Sequence, residues 1–141
     1  MAAVNNKLYW LTWQNQTGFI YDATTFKRLG QFNYTNKEGW GLTVHDKHLV
    51  MSDGTYNLTY LDPENFSVVK TLAVTKNGYG VDYINELEFI NGYIYANVWM
   101  SNLVMKIDPS SGRVVGQMDL TPLYNEARKI NPRLAEMNGI A

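Results

Sequence analysis

The chain has 141 residues, 45 % hydrophobic and 18 % charged, which suits one globular domain rather than a disordered tail. Lys and Arg number 12 against 13 Asp and Glu, a net charge of −1 with no basic block, so the electrostatic footprint of a nucleic-acid binder is missing. Without cysteine there is no disulfide framework, thiolate metal site or Cys nucleophile, and apolar runs of only about five residues are too short for a membrane-crossing helix, so neither a nucleic-acid nor a membrane partner is expected.

The first seven residues carry no charged region followed by an apolar core, so no secretory leader is expected there, and both ends read as cut. The compartment stays open, secreted or periplasmic placement of an intact protein included. Residues 8–13 (Leu8-Tyr9-Trp10-Leu11-Thr12-Trp13) are rich in β-formers, and Gly18-Phe19-Ile20-Tyr21-Asp22 follows a polar turn. Further strands are expected at 49–52, 58–61, 68–74, 93–99, 103–107 and 114–118. Asp53-Gly54, Asp62-Pro63, Asn91-Gly92, Asp108-Pro109 and Ser111-Gly112 supply turns between them. Residues 93–99 are apolar on both faces, which predicts a strand buried between layers. Residues 120–137 read as helical until Asn131-Pro132 breaks the pattern.

Three segments repeat one plan. Each ends a strand in an aspartate (Asp22, Asp62, Asp108), and each aspartate opens a four-residue turn before another strand. The aspartates lie 40 and 46 residues apart. Repeats of roughly 40–50 residues with about four strands are the pattern of propeller blades. The fold expected is therefore all-β, a partial β-propeller over 1–141 with about three blades, in units of roughly 8–48, 49–92 and 93–141. Such a ring is completed by other chain, by assembly with other copies, or left as an open arc.

The small-residue motifs Glu38-Gly39-Trp40-Gly41-Leu42, Asn85-Glu86-Leu87-Glu88 and Met137-Asn138-Gly139-Ile140-Ala141 fall at matching places of the repeats. Trp13, Trp40 and Trp99 with Asn85 are expected to converge on one channel mouth. Such an aromatic box with an amide suits a small amide or amine. The same residue types also serve a scaffold: tryptophans as core, Asn85 as a turn or cap, Glu86 and Glu88 as a paired and a surface carboxylate. His45 and His48 lie three apart in an exposed turn with no third ligand evident, so no metal is expected. Ser52 and Ser67 lack a nucleophile elbow, and the glycines around Trp40 open no helix to cradle phosphate. Asn15, Asn33, Asn57 and Asn65 begin Asn-x-Ser/Thr triplets, which this Asn-rich composition also yields by chance.

Taken in order, Leu11-Thr12-Trp13, Gly18-Phe19-Ile20-Tyr21-Asp22, Glu38-Gly39-Trp40-Gly41-Leu42-Thr43, Met51-Ser52-Asp53-Gly54-Thr55, Asn85-Glu86-Leu87-Glu88, Tyr95-Ala96-Asn97-Val98-Trp99 and Asn138-Gly139-Ile140-Ala141 resemble the glutamine cyclotransferase family over essentially the whole chain. The resemblance implies a five-bladed propeller that converts N-terminal glutamine of peptides and proteins to pyroglutamate with release of ammonia and without a cofactor. It implies substrate-binding roles for Trp13, Trp40 and Trp99 and a catalytic role for Asn85. Glu86, beside Asn85 in the same motif, is the carboxylate assigned to catalysis with it. The family's Phe-Thr-Gln-Gly and Phe-Ala-Glu-Gly motifs, and a lysine toward its end, have no counterpart in these residues. The acidic group they supply is thus missing, and little activity is expected of this chain alone. Two alternatives stand beside the enzyme: a non-catalytic binding module, and a fragment completed by self-association through open blade faces.

Overall fold

A computed structural model of the chain describes residues 1–140, so Ala141 of the last motif lies outside the described residues. The first sheet is β1 (Ala2–Val4), β2 (Lys7–Leu11), β3 (Thr17–Asp22) and β4 (Arg28–Asn33), hydrogen-bonded in that order. The second is β5 (Leu42–His45), β6 (His48–Ser52), β7 (Asn57–Leu61) and β8 (Val68–Ala73). A two-stranded ribbon, β9 (Thr75–Lys76) and β10 (Tyr79–Gly80), leads to the third. That sheet is β11 (Ile84–Ile90), β12 (Tyr93–Val98), β13 (Leu103–Ile107) and β14 (Val114–Asp119), and one helix, α1 (Thr121–Ile130), follows. All pairings within these sheets are antiparallel.

The repeated aspartates explain the recurring turn. The carboxylates of Asp22, Asp62 and Asp108 accept the backbone N–H groups two residues on, from Thr24, Glu64 and Ser110, at 3.0, 2.8 and 2.9 Å. Four residues after each aspartate, Phe26, Phe66 and Gly112 take positive φ (57°, 60° and 72°) and return their N–H to the aspartate carbonyl. Each turn joins the third strand of a sheet to its fourth, with a register shift beside it. In α1, Pro122 occupies the first turn, where its missing donor costs nothing. The helix stops before Asn131-Pro132, as the sequence pattern predicts.

The middle sheet is buried on both sides. Leu49, Met51 and Leu61 pack with Tyr9, Phe32 and Tyr34 of the first sheet and its following loop. Val50, Leu58 and Tyr60 pack with Ile84, Leu87, Ile94 and Ile107 of the third. Alternation along β6 thus feeds two cores, because successive side chains leave a strand on opposite faces. The strand expected to be covered on both faces, 93–99, is covered along one face and on the other only at Asn97. Ile94 and Ala96 are buried, whereas Tyr93 and Tyr95 lie half-exposed beneath the Lys106 ammonium, 3.8 Å from the Tyr93 ring centre.

The propeller expectation is overturned. The strands form separate small antiparallel sheets, and none closes or curls into a propeller. β1 lies against β5 and β5 against β11, so three four-stranded sheets share two packed boundaries, each with its own core. Two boundaries among three sheets make a row, since a ring requires one more. The sheets also occupy residues 2–33, 42–73 and 84–119, so each begins one strand ahead of the expected unit, with β1, β5 or β11.

One hydroxyl ties the second sheet to the third. Ser52 Oγ, fully buried, donates to the Asn85 carbonyl at 2.6 Å and accepts the Gly41 N–H at 2.8 Å. A Cβ on Gly41 would stand 2.2 Å from that same carbonyl oxygen, so only glycine permits the approach. Ser52→Ala leaves a buried donor and acceptor without this partner and is expected to lower stability by about 1–3 kcal/mol. Urea unfolding checks this, and an unchanged midpoint would contradict it.

Candidate functional site

Antiparallel pairing brings the beginnings of β5 and β11 to the same rim as the ends of β6 and β12, since Leu42 faces Met51 and Ile84 faces Val98. The expected site residues hang on that rim. Trp13 follows β2, Trp40 precedes β5, Asn85 lies near the start of β11, and Trp99 directly follows β12. Together with Gly39 they line one cavity of about 310 Å³. Trp13 is 62 % exposed and Trp99 39 %, so the walls are reachable from solvent rather than sealed in a core.

Backbone bonds set each wall. The Gly39 N–H donates to the Trp13 carbonyl at 2.8 Å, and the Trp40 N–H donates to the Ser52 carbonyl at 3.0 Å. The Trp40 ring lies over Gly54, whose φ is +83° and where a Cβ would come within 2.7 Å of the indole. Tyr83 donates its N–H to the Gly54 carbonyl and accepts the Trp99 N–H on its own. The Trp40 and Trp99 rings meet edge to face, 5.4 Å apart at 85°, a favourable aromatic arrangement.

Asn85 reaches the rim through a bulge. Ile84 pairs with Val98 and Leu87 with Ala96, so Asn85 and Glu86 together oppose the single residue Asn97. The extra residue lets Ile84 and Leu87 both face the core, although they are three apart, and re-aims what lies between them. Asn85 lines the cavity, and Glu86 is not among its lining residues. Burial pushes the Glu86 carboxyl above its ordinary value; the chain's amino terminus opposes that shift and Glu88 reinforces it.

The carboxylate that the sequence reading passed over is Glu38. Its Oε2 accepts the indole N–H of Trp13 and that of Trp40, both at 2.7 Å. These bonds, Trp40's above all, hold the Glu38 carboxyl below its ordinary value. The signal was in hand, since Glu38 opens the motif that contains Trp40, but its partner Trp13 stands 25 residues away. His45 and His48 are paired across the β5–β6 turn, where His45 Nδ1 lies 3.2 Å from the Tyr60 hydroxyl. Among the described residues, no three His, Asp or Glu side chains gather where they could hold a metal.

The sign of the Glu38 shift fixes a pH window. A lowered folded-state value means the two indole bonds stabilise the fold fully above the unfolded carboxyl's range. That contribution is lost as pH falls through the lower folded value. With Lys37 the adjacent cation, tryptophan fluorescence of the wall residues is expected to hold steady through pH 5 and change only below about pH 4.3, the ordinary Glu value. A change centred above that value would contradict the assignment.

The comparisons with known proteins agree with one another. The family model described as glutamine cyclotransferase matches residues 1–141. A glutaminyl-peptide cyclotransferase of Arabidopsis thaliana is 36 % identical over 142 residues, covering 100 % of this chain and 44 % of the relative. The crystal structure of Myxococcus xanthus glutaminyl cyclase is similar at a TM-score of 0.86 and 38 % identity, over 96 % of this chain and 56 % of that one. The chain therefore spans about half the length of these relatives. By the family match along its whole length and by these likenesses, the chain belongs to the glutamine cyclotransferase family.

Proposed function

We propose that the cavity of Trp13, Trp40, Asn85 and Trp99 is the substrate pocket of a glutaminyl-peptide cyclotransferase, acting on peptides and proteins with N-terminal glutamine. The observation that carries the proposal is the gathering of three indoles and one amide around a single open cavity, in a chain of this family.

In the reaction, the α-amine nitrogen attacks the carbon of the γ-carboxamide. A ring C–N bond forms, the bond to the side-chain nitrogen breaks, the α-nitrogen gives up one proton, and the leaving nitrogen gains one as ammonia departs. The amine must be neutral to attack, which its ordinary value of about 7.7–8.0 makes only modestly demanding. Much of the barrier is conformational, because the glutamine side chain must fold back on its own amine. Indole walls that enclose it and exclude water favour the folded conformer. The developing oxyanion needs a donor. The Trp13 and Trp40 N–H groups are already given to Glu38, and we assign the task to the Asn85 amide, which lines the cavity.

Proton delivery calls for a carboxyl held in its acid form. Glu86, next to the lining residue Asn85 in the chain, has that bias, and Glu38 the opposite one. Glu86 therefore delivers the proton to the leaving nitrogen and regains one from the α-nitrogen.

The test is ammonia release and pyroglutamate formation from glutaminyl-glycine by a protein of the relatives' full length that contains these residues. Asn85→Ala is expected to lower kcat about 10²–10³-fold, and Glu86→Gln about 10²–10⁴-fold with little change in substrate affinity. Absence of turnover in the unmutated protein would sink the enzyme reading. Full turnover by Glu86→Gln would remove that residue from the chemistry.

A further inference from the structure

We propose that Glu38 is a positioning residue of this pocket: one carboxylate oxygen, bonded to two indole N–H groups, fixes the planes and the separation of the Trp13 and Trp40 walls. The proposal rests on reading the cavity as a substrate pocket.

The geometry is specific. Both indole nitrogens lie 2.7 Å from the same oxygen, Oε2. An indole carries its N–H on one edge only. Turning the ring over about its last torsion would swing that N–H away from the carboxylate, so the bond selects one ring orientation. This matters most at Trp13, which lies in the loop after β2 and is 62 % exposed. An exposed side chain otherwise exchanges rotamers within nanoseconds. Trp40 has further support from the Gly54 backbone beneath it and from Trp99 against its edge. The carboxylate carries that order across to Trp13. Glu38 is itself next to Gly39, whose N–H holds the Trp13 carbonyl, so backbone and side chain of Trp13 are tied to the same two residues.

The arrangement also sets what the pocket can offer. With both N–H groups turned to Glu38, which is not a lining residue, Trp13 and Trp40 present ring carbon to the cavity. Recognition there is by shape and π-face, and Asn85 supplies the polar contact. A charged acceptor is used because charge-assisted bonds are shorter and stronger than neutral ones.

The experiment follows the indole N–H resonances of the ¹⁵N-labelled 141-residue chain. In Glu38→Ala, solvent exchange of the Trp13 and Trp40 N–H groups is expected to quicken about tenfold, the effect of one lost hydrogen bond. Trp10, outside the site, serves as the reference and is expected to keep its rate. Glu38→Gln retains a carbonyl acceptor and is expected to restore part of the protection, which a merely structural loss would not do. Binding of glutaminyl-glycine, read by tryptophan fluorescence, is expected to weaken about tenfold in Glu38→Ala and less in Glu38→Gln. Wild-type exchange rates at both indoles in Glu38→Ala would overturn the proposal, as would faster exchange with unaltered affinity. If the unmutated chain bound no glutaminyl-glycine, the pocket reading would fall, while the exchange rates would still decide whether Glu38 orders the two rings.

Discussion

The site depends on the contact between Ser52, Gly41 and the backbone of Asn85. Ser52 closes β6, and its hydroxyl is shared between the segment that leads into β5 and the first turn of chain in β11. Two sheets approach there so closely that a methyl group would not fit. Trp40 is anchored through the same residue, since its N–H donates to the Ser52 carbonyl. One buried serine thus sets the relative positions of an indole wall and of the amide opposite it. Buried polar groups cost free energy when a partner is missing, so the Gly41 N–H and the Asn85 carbonyl both depend on the Ser52 hydroxyl.

Around that junction the two carboxylates have opposite environments. Glu38 accepts two indole donors and is held in its charged form. Glu86 is withdrawn from water and biased toward its acid form. Groups whose surroundings drive their titration apart are a common basis for a division of labour between structure and proton transfer. Here the charged one accepts the N–H groups of two cavity-lining indoles, and the acid-biased one follows Asn85 in the chain. The bulge at Asn85 and Glu86 makes this possible, because a regular strand could not bury both Ile84 and Leu87 on one face. The irregularity serves the core and the rim at once.

Much of the molecule was legible in order along the chain. The aspartate turns are local: the carboxylate reaches N–H groups two or three residues away, so the residue pattern is sufficient to predict them. The helix end before Asn131-Pro132 is local for the same reason. The convergence of Trp13, Trp40, Asn85 and Trp99 was expected from their matching places in the repeats, and they do line one cavity. Other features were read wrongly or missed. The 93–99 strand has the composition of a doubly buried one, yet Tyr93 and Tyr95 end beneath Lys106 on an outer surface. The strand buried on both faces is instead in the middle sheet.

The sequence by itself determined the all-β character, the threefold repetition, the turns and the family. Each follows from residue type and spacing over a few positions, or from motif order. Tertiary structure decided the rest: that three sheets stand in a row without closing, that a bulge turns Asn85 and Glu86 apart, and that Glu38 joins two indoles. These depend on which surfaces meet across tens of residues. The free energy of such contacts belongs to the packed pair and is written in neither segment alone.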